Sequence, residues 1–326
     1  MIYVYFLLLM ISFAVLFKCA DFFVSGASNI AICLNMPKMV IGIVLVGLAT
    51  TAPEFAVSVQ AAFLGHPEIA LGNAIGSVIC DDGVALALAA LIATVPILVN
   101  CRMLKIAGVF LLSIDVVGYM LAKNGTVGRI EGAFFVVLLI VYFWFILKSK
   151  KIRTDNFGQI PDLDTDPELC ELPLKQRLKK PLLLFSLGLI GVIITSRIVL
   201  ESSIKIARHF DISETIIGLT IIAIGTSLPE ISTCITAALK KEGEIAVGNI
   251  IGADILNVLW IIGVSALVNP ITVDKDIINF TFPFMILIVA VMLGLMRIGC
   301  RLGKFKGMIL FLLYVVYLYM TLSLFA

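Results

Sequence analysis

Two glutamates of this chain each follow a proline inside an apolar segment. Glu54 ends the run Thr-Thr-Ala-Pro-Glu at 50–54, and Glu230 ends the run Thr-Ser-Leu-Pro-Glu at 226–230. The two runs are offset by 176 positions, from 54 to 230. A carboxylate at the centre of an apolar membrane segment costs about 2.5–3.5 kcal/mol to insert, so such a residue marks a functional site by default.

The surroundings of each glutamate favour binding of a hard cation. Pro229 has no N–H, so the carbonyl of Gly225, four residues earlier, loses its helical hydrogen-bond donor. Glu230 lies one helical turn after Thr226 and therefore on the same face. Glu54 has the same surroundings in the first copy. Carboxylate, hydroxyl and carbonyl oxygens at one point suit Ca²⁺, which takes six to eight oxygens at about 2.3–2.6 Å.

A second polar motif follows each glutamate at the same offset. It reads Gly-Asn-Ala-Ile-Gly-Ser-Val-Ile-Cys-Asp-Asp at 72–82 and Gly-Asn-Ile-Ile-Gly-Ala-Asp-Ile-Leu-Asn at 248–257. Ser77 and Asp81 are four residues apart and share a helix face, as do Ala253 and Asn257. The glycines at 72, 76, 248 and 252 have the G-x-x-x-G spacing that lets helices approach closely. No role is assigned to Asp82, Asp115, Asp254 or Arg197.

Composition predicts the elements that must position these motifs. The chain is 61% hydrophobic and 14% charged, with a mean hydropathy of +1.12, whereas soluble domains carry about 25% charged residues. Apolar segments long enough to cross a bilayer recur along its length. The sequence therefore predicts an all-α polytopic membrane protein with ten transmembrane helices, near 2–31, 37–64, 69–98, 106–122, 127–148, 181–207, 212–239, 244–268, 276–296 and 305–325.

The ten segments divide into two five-helix repeats, 1–148 and 181–326, joined by a polar linker at 149–180. Because five is odd, the second repeat enters the membrane from the opposite side. Inverted repeats are typical of secondary transporters, whose site lies at the midplane between the repeats. With the N-terminus outside, the inside loops hold 17 Lys and Arg and the outside loops 5. This bias predicts an outside N-terminus and a cytoplasmic linker.

Other classes of protein find little support. The cysteines at 19, 33, 80, 101, 170, 234 and 300 have neither a CxxC pair nor a metal-ligand spacing, and most are interpreted as small apolar residues in helices. No nucleophile–base pair or metal-hydrolase motif is present, so we expect no enzyme. We also expect no organic cofactor and no nucleic-acid partner, and nothing in the sequence requires an oligomer. The lipid bilayer is the expected environment, and the first apolar segment is interpreted as a transmembrane helix rather than a signal peptide.

At these motifs the chain resembles the cation/calcium exchanger superfamily, in particular its prokaryotic sodium/calcium exchangers. The repeats of that family read roughly G-T-S-x-P-E followed by G-N-x-x-G-S-N-x-x-[ND], and Gly225 to Glu230 with Gly248-Asn249 match well. The resemblance extends to the segment count, the inverted halves and the central loop. It implies a secondary antiporter that exchanges calcium for sodium by alternating access, in a prokaryotic plasma membrane.

The resemblance also implies a role for each matched position. Glu54 and Glu230 would bind calcium directly, helped by backbone carbonyls near Thr50 and Thr226. Asp81 and Asn257 would occupy the central polar position. The flanking sodium sites would use the side chains of Thr50, Thr51, Ser77, Thr226 and Ser227.

Departures from the family pattern leave the coupling ion open. Ala253 replaces the expected Ser and removes a hydroxyl from one sodium site, while Val78 and Asp254 replace Asn. The sodium stoichiometry is therefore open, and protons and potassium are further candidates for the transported ions. The first alternative is a calcium/proton exchanger on the same scaffold, because carboxyl groups held close together away from water take up protons more readily. The second alternative is a cation channel, against which the proline-interrupted helices in two inverted halves argue.

Overall fold

The part of the chain that the structure describes is mostly helical. The computed structural model describes residues 2–33, 47–148, 174–239, 241 and 243–325. In chain order the helices are α1 Ile2–Cys33, α2 Gly47–Thr50, α3 Ala52–Phe63, α4 Pro67–Cys80, α5 Ala87–Ile92, α6 Cys101–Ala122, α7 Arg129–Lys148, α8 Leu174–His209, α9 Glu214–Ile217, α10 Ala223–Thr226, α11 Leu228–Leu239, α12 Gly243–Leu256, α13 Gly263–Val268, α14 Phe282–Arg297 and α15 Lys304–Phe325. The π-helical turns are Asp81–Leu86 between α4 and α5, Gly218–Ile222 between α9 and α10, Asn257–Ile262 between α12 and α13, and Ile277–Thr281 before α14.

Seven of the described helices are long and apolar enough to cross a membrane, or eight if α9 to α11 form one bent span. The second predicted segment begins at residue 37, outside the described residues, and its described part is α2 and α3. The fifth predicted segment, 127–148, corresponds to α7, a helix of 20 residues. The predicted linker lies outside the described residues as far as 173, and α8 begins at Leu174. The prediction of a helical polytopic membrane protein is confirmed, and the count of ten stays a prediction.

One stretch of the first half recurs in the second with the same element bounds. Adding 176 to the bounds of α2 to α5 gives those of α10 to α13, including the π turn between the last two helices. The helix is interrupted at Thr51 and at Ser227, in each case two residues before a proline. Because proline has no N–H for the preceding turn, the interruption follows from the sequence. In the second half the helix axis bends by 42° there.

The innermost helical spans are the two that come next in the chain after α3 and α11. Within an 18-residue window of each span, 78% of the residues are buried in Pro67–Ile92 and in Ala246–Val268, against 22–44% in the other candidate spans. Glycine permits close packing here, since a Cβ built on Gly76 would lie 2.6 Å from the carbonyl oxygen of Leu219. The glycines of the second motif were expected to allow close helix packing, and Gly76 does so.

Two short antiparallel strand pairs connect the halves. Strand β1 (Ile97–Leu98) pairs with β4 (Arg301–Leu302), and β2 (Thr126–Val127) pairs with β3 (Ile271–Thr272). Beside the first pair, Cys101 and Cys300 form a disulfide with a Cα–Cα distance of 5.5 Å, within the usual range.

This disulfide corrects the interpretation of the cysteines for two of the seven. The partners are 199 residues apart, so no spacing rule could pair them. Cys80 and Cys234 are buried free thiols and Cys19 is half-buried, as expected for small residues in helices. The side chain of Cys33 and the whole of Cys170 lie outside the described structure.

We expect Gly76→Ala to lower the free energy of unfolding by about 1–3 kcal/mol, the usual cost of overpacking, because the new methyl would meet the backbone of Leu219. Unfolding of the purified protein in detergent measures the change. The control is Gly294→Ala, whose Cβ would meet no atom within 4 Å and which should gain up to about 1 kcal/mol from helix propensity. Equal stability of the two variants would contradict the packing assigned to Gly76.

Candidate functional site

The predicted site residues lie at the interruptions and in the innermost helices. Eight of the nine are buried, with at most 1% of each residue exposed, and Thr50 is half-buried. The eight are Thr51, Glu54, Ser77, Asp81, Thr226, Ser227, Glu230 and Asn257. The apolar bundle therefore encloses eight of the nine residues predicted for the site.

The glutamate of each half faces hydroxyl groups of the other half. Glu54 lies against Thr226 and Ser227, and Glu230 lies against Thr50. Asp81 lies beside Ser227 and near both glutamates. These three carboxyl groups, which we call the central carboxylates, have no hydrogen bond of full geometry with any described residue.

Ser77 and Asn257 are also buried in the innermost spans, but the structure does not show either of them in contact with the central carboxylates. The Ser77 hydroxyl and both polar side-chain atoms of Asn257 reach no hydrogen-bond partner among the described residues. They are thus available to a ligand, while their contact with the central carboxylates stays a prediction.

Two asparagines that the sequence analysis left unassigned connect the halves. The Oδ1 of Asn73 lies 3.1 Å from the hydroxyl of Thr226. Asn249 Oδ1 accepts from the Thr50 hydroxyl at 3.3 Å. Asn249 is the equivalent of Asn73, and Thr226 is the equivalent of Thr50, each at an offset of 176. The asparagine of each half therefore contacts the equivalent threonine of the other half. The repeated Gly-Asn pair of the second motif is the sequence signal that could have identified them.

The two asparagines differ in how many hydrogen bonds their side chains make. Asn73 is fully buried, and its amide donates to the carbonyl of Glu54 at 3.3 Å and to the hydroxyl of Ser58 at 2.9 Å. The Nδ2 of Asn249 has no partner among the described residues. Asn73 therefore holds the backbone of one glutamate and the hydroxyl beside it in fixed relative positions.

A second group of carboxylates lies next to the first. Asp82 and Asp254 lie against each other, with Asp115 and Asp81 close by. All are fully buried. The sequence alone assigns no role to Asp82, Asp115 or Asp254. Arg197, also unassigned, pairs with Glu201 on an exposed helix face at 2.8 Å and is not part of this group.

Charge is the decisive property of the site. Six carboxyl groups are buried, and the buried polar residues of the described chain include no Lys, Arg or His. Removing a carboxylate from water costs several kcal/mol unless a positive charge compensates it. A site of this composition favours cations and excludes anions.

No group of three His, Cys, Asp or Glu side chains within the described residues is arranged to hold a metal ion. A cation at the central carboxylates would therefore need hydroxyl and carbonyl oxygens as well. Both are present, because Thr226 and Ser227 lie there and the prolines leave carbonyls of the preceding turns without their helical donors. Oxygen ligands of mixed type suit Ca²⁺ and Na⁺ better than softer transition metals.

Comparison with known proteins agrees with this class of site. The family model described as sodium/calcium exchanger protein matches residues 4–148 and 180–323. The chain belongs to the sodium/calcium exchanger protein family, a family of ion exchangers rather than of enzymes, and the resemblance predicted from the motifs is confirmed.

Two prokaryotic relatives match over most of their length. The sodium/calcium exchanger MaX1 of Methanosarcina acetivorans is 32% identical, over 98% of each chain. The inner membrane protein YrbG of Escherichia coli is 34% identical over 86% of this chain and 85% of its own. Among solved structures, the sodium-calcium exchanger NCX_Mj soaked with Na⁺ and Sr²⁺ has a TM-score of 0.65 and 26% identity, over 98% of this chain and 99% of that one.

We expect Asn73→Ala to destabilise the protein more than Asn249→Ala. The first change removes three contacts in a buried region and leaves buried groups unpaired, at about 1–3 kcal/mol. The second removes one contact at 3.3 Å. Thermal unfolding in detergent compares the two, and a larger loss for Asn249→Ala would show that the described bonds do not decide the stability of this region.

Proposed function

We propose that this protein is a secondary active antiporter that exchanges Ca²⁺ for Na⁺ across a membrane by alternating access. The observation that carries the proposal is the set of six buried carboxyl groups without a buried base. A transporter must bring its ion to a point away from water, and groups of opposite charge compensate a divalent ion for the hydration that it loses. Family membership and the name of MaX1 support the same choice of ions.

Glu54 and Glu230, two of the central carboxylates, are the proposed Ca²⁺ ligands. Glu54 and Glu230 come from opposite halves, and together they neutralise one divalent ion or two monovalent ions in neighbouring positions. Ca²⁺ and Na⁺ would therefore compete for the same negative charge, which is the basis of exchange. The backbone carbonyls near Thr50 and Thr226 would complete the Ca²⁺ shell.

The remaining predicted residues have proposed roles around that centre. Asp81 and Asn257 would occupy the central polar position. The flanking sodium sites would be formed by the hydroxyl groups of Thr50, Thr51, Ser77, Thr226 and Ser227. The transported ions are the substrates of the protein, and no organic cofactor is part of the proposal.

Ten transmembrane helices in two inverted repeats are the proposed architecture. The repeats would span 1–148 and 181–326, with 149–180 as a cytoplasmic linker and the N-terminus outside a prokaryotic plasma membrane. Three observations support it: the element bounds that recur at an offset of 176, the reciprocal Thr–Asn contacts, and the exchanged strand pairs. Reciprocal contacts of this kind are those that a two-fold axis relates.

A calcium/proton exchanger is the second candidate, and the group formed by Asp82, Asp115 and Asp254 favours it. Asp82 and Asp254 lie beside Asp81, and the buried carboxyl groups together exceed what one Ca²⁺ can neutralise. Protons would compensate the excess as well as sodium would.

Uptake of ⁴⁵Ca²⁺ into proteoliposomes under separately imposed Na⁺, K⁺ and proton gradients tests both candidates. We expect an outward Na⁺ gradient to drive uptake. Uptake that follows only a pH gradient would replace the proposal by proton exchange. Uptake that persists with no exchangeable counter-ion would instead indicate a channel.

We expect Glu54→Gln and Glu230→Gln each to abolish saturable Ca²⁺ binding, because one fewer carboxylate leaves a divalent ion incompletely neutralised. Equilibrium binding of ⁴⁵Ca²⁺ to purified protein measures this. The matched control is Glu201→Gln, an exposed glutamate paired with Arg197, which should bind as the unaltered protein does. Tight binding retained in both site variants would remove the glutamates from the site.

We expect Ala253→Ser to increase the competition of Na⁺ with Ca²⁺, because it places at 253 the hydroxyl that Ser77 carries at the equivalent position. Ala253 is fully buried, so the added oxygen lies within the bundle. The Na⁺ concentration that halves Ca²⁺ binding should fall. An unchanged value would show that the missing hydroxyl does not weaken a sodium site.

A further inference from the structure

We infer that Cys101 and Cys300 form a reversible thiol–disulfide site, which is oxidised and reduced by exchange with small thiols and disulfides of the glutathione class. The two cysteines are bonded in this structure, with a Cα–Cα distance of 5.5 Å. They come from opposite halves of the chain and are 199 residues apart. The inference rests on the proposed orientation of the chain and not on which ions the protein exchanges.

The proposed orientation places this bond where permanent disulfides are rare. Basic residues follow the first cysteine and flank the second along the chain: Arg102, Lys105, Arg297, Arg301 and Lys304. The bias of Lys and Arg therefore assigns this end of the bundle to the cytoplasm. Thiols are kept reduced in that compartment, and a disulfide found there is usually transient or redox-sensing.

The backbone holds the two cysteines together without the help of the bond. Strand β1 pairs with β4, and the pairing continues where the N–H of Val99 donates to the carbonyl of Cys300 at 3.0 Å. The guanidinium of Arg297 donates to the carbonyl of Cys101 at 3.3 Å. Each of these contacts crosses between the halves and involves no sulfur atom. The reduced thiols therefore stay within reach of each other, and the bond can form again without unfolding.

The bond is accessible to a small reagent. Cys101 and Cys300 are half-buried, whereas the free thiols of Cys80 and Cys234 are fully buried. A small thiol can therefore approach the bonded pair from the end of the bundle, while the apolar helices enclose the two buried thiols.

The position of Cys101 makes it the attacking thiol. It is the first residue of α6, a helix of 22 residues. The N-terminus of a helix stabilises a thiolate, which is the form that attacks a disulfide.

Oxidation then proceeds in two exchange steps. The thiolate of Cys101 attacks a small disulfide, forms a mixed disulfide and releases one small thiolate. The thiolate of Cys300 attacks the sulfur of Cys101 and releases the second small thiolate. Two protein thiols and one small disulfide thus give one protein disulfide and two small thiols, and reduction is the reverse of these steps.

Oxidation joins the two halves covalently at this end of the bundle. A bond that closes a long loop stabilises a folded chain mainly by restricting the unfolded one. The oxidised protein therefore unfolds at a higher temperature than the reduced protein, and the connection between the halves is stronger under oxidising conditions.

The test equilibrates the full-length protein in detergent with mixtures of reduced and oxidised glutathione. N-ethylmaleimide then blocks the free thiols, and mass spectrometry quantifies the linked peptides that contain Cys101 and Cys300. We expect almost complete loss of the linked peptides in reduced glutathione alone and their return when oxidised glutathione is restored. A bond that persists in the folded protein in reduced glutathione would overturn the inference, because it would be a permanent structural disulfide. A bond that does not form again after reduction would overturn it as well.

Two variants assign the effect to this pair. In Cys300→Ser, oxidation should no longer raise the unfolding temperature. The matched control is Cys19→Ser, which changes a half-buried free cysteine and should keep both the linked peptides and the rise in unfolding temperature. A rise that persists in Cys300→Ser, or linked peptides that are lost in the control, would contradict the assignment. If Cys300→Ser does not fold, the measurement on the unaltered protein still decides.

Labelling of membrane vesicles tests the side on which the pair lies. A membrane-impermeant maleimide should label the reduced pair in inverted vesicles and leave it unlabelled in right-side-out vesicles. The opposite result would overturn the inference, because thiols on the outer side are not kept reduced. None of these measurements uses ion transport, so a failure of the proposed exchange activity would leave their outcome unchanged.

Discussion

Electrostatic imbalance is the constraint on which the rest of this structure depends. Six carboxyl groups lie inside an apolar bundle, and none of the described basic side chains is buried with them. Such a set is unfavourable until cations or protons enter, because the interior provides little screening. Binding of positive charge is therefore a condition for stability of the innermost region as well as its function.

The backbone around this charge is arranged by two prolines. Pro53 and Pro229 interrupt helices at equivalent positions, so each glutamate follows a break and meets hydroxyl groups of the other half. The reciprocal contacts of Asn73 and Asn249 then fix the halves against each other. The halves are similar but unequal. The first has the hydroxyl of Ser77, the carboxyl of Asp81 and, in Asn73, the asparagine that makes more hydrogen bonds.

Much of this was accessible from the sequence, for a physical reason. Glu54 and Glu230 stand out because charge in an apolar helix is costly. The Pro-Glu pair also occurs twice at equivalent positions, which argues against coincidence. Family membership followed from the same residues. Asn73 and Asn249 were missed because a neutral amide beside glycine carries no comparable cost and its partner lies 153 or 199 residues away. The pairing of Cys101 with Cys300 depends on strands that only the folded chain brings together.

The account is tested most directly by counting the Ca²⁺ ions that the purified protein binds at equilibrium as Na⁺ is increased. If the buried carboxyl groups form one site for competing cations, one Ca²⁺ should bind saturably per chain and Na⁺ should displace it completely. Absence of saturable binding, or binding that Na⁺ leaves unchanged, would contradict the account.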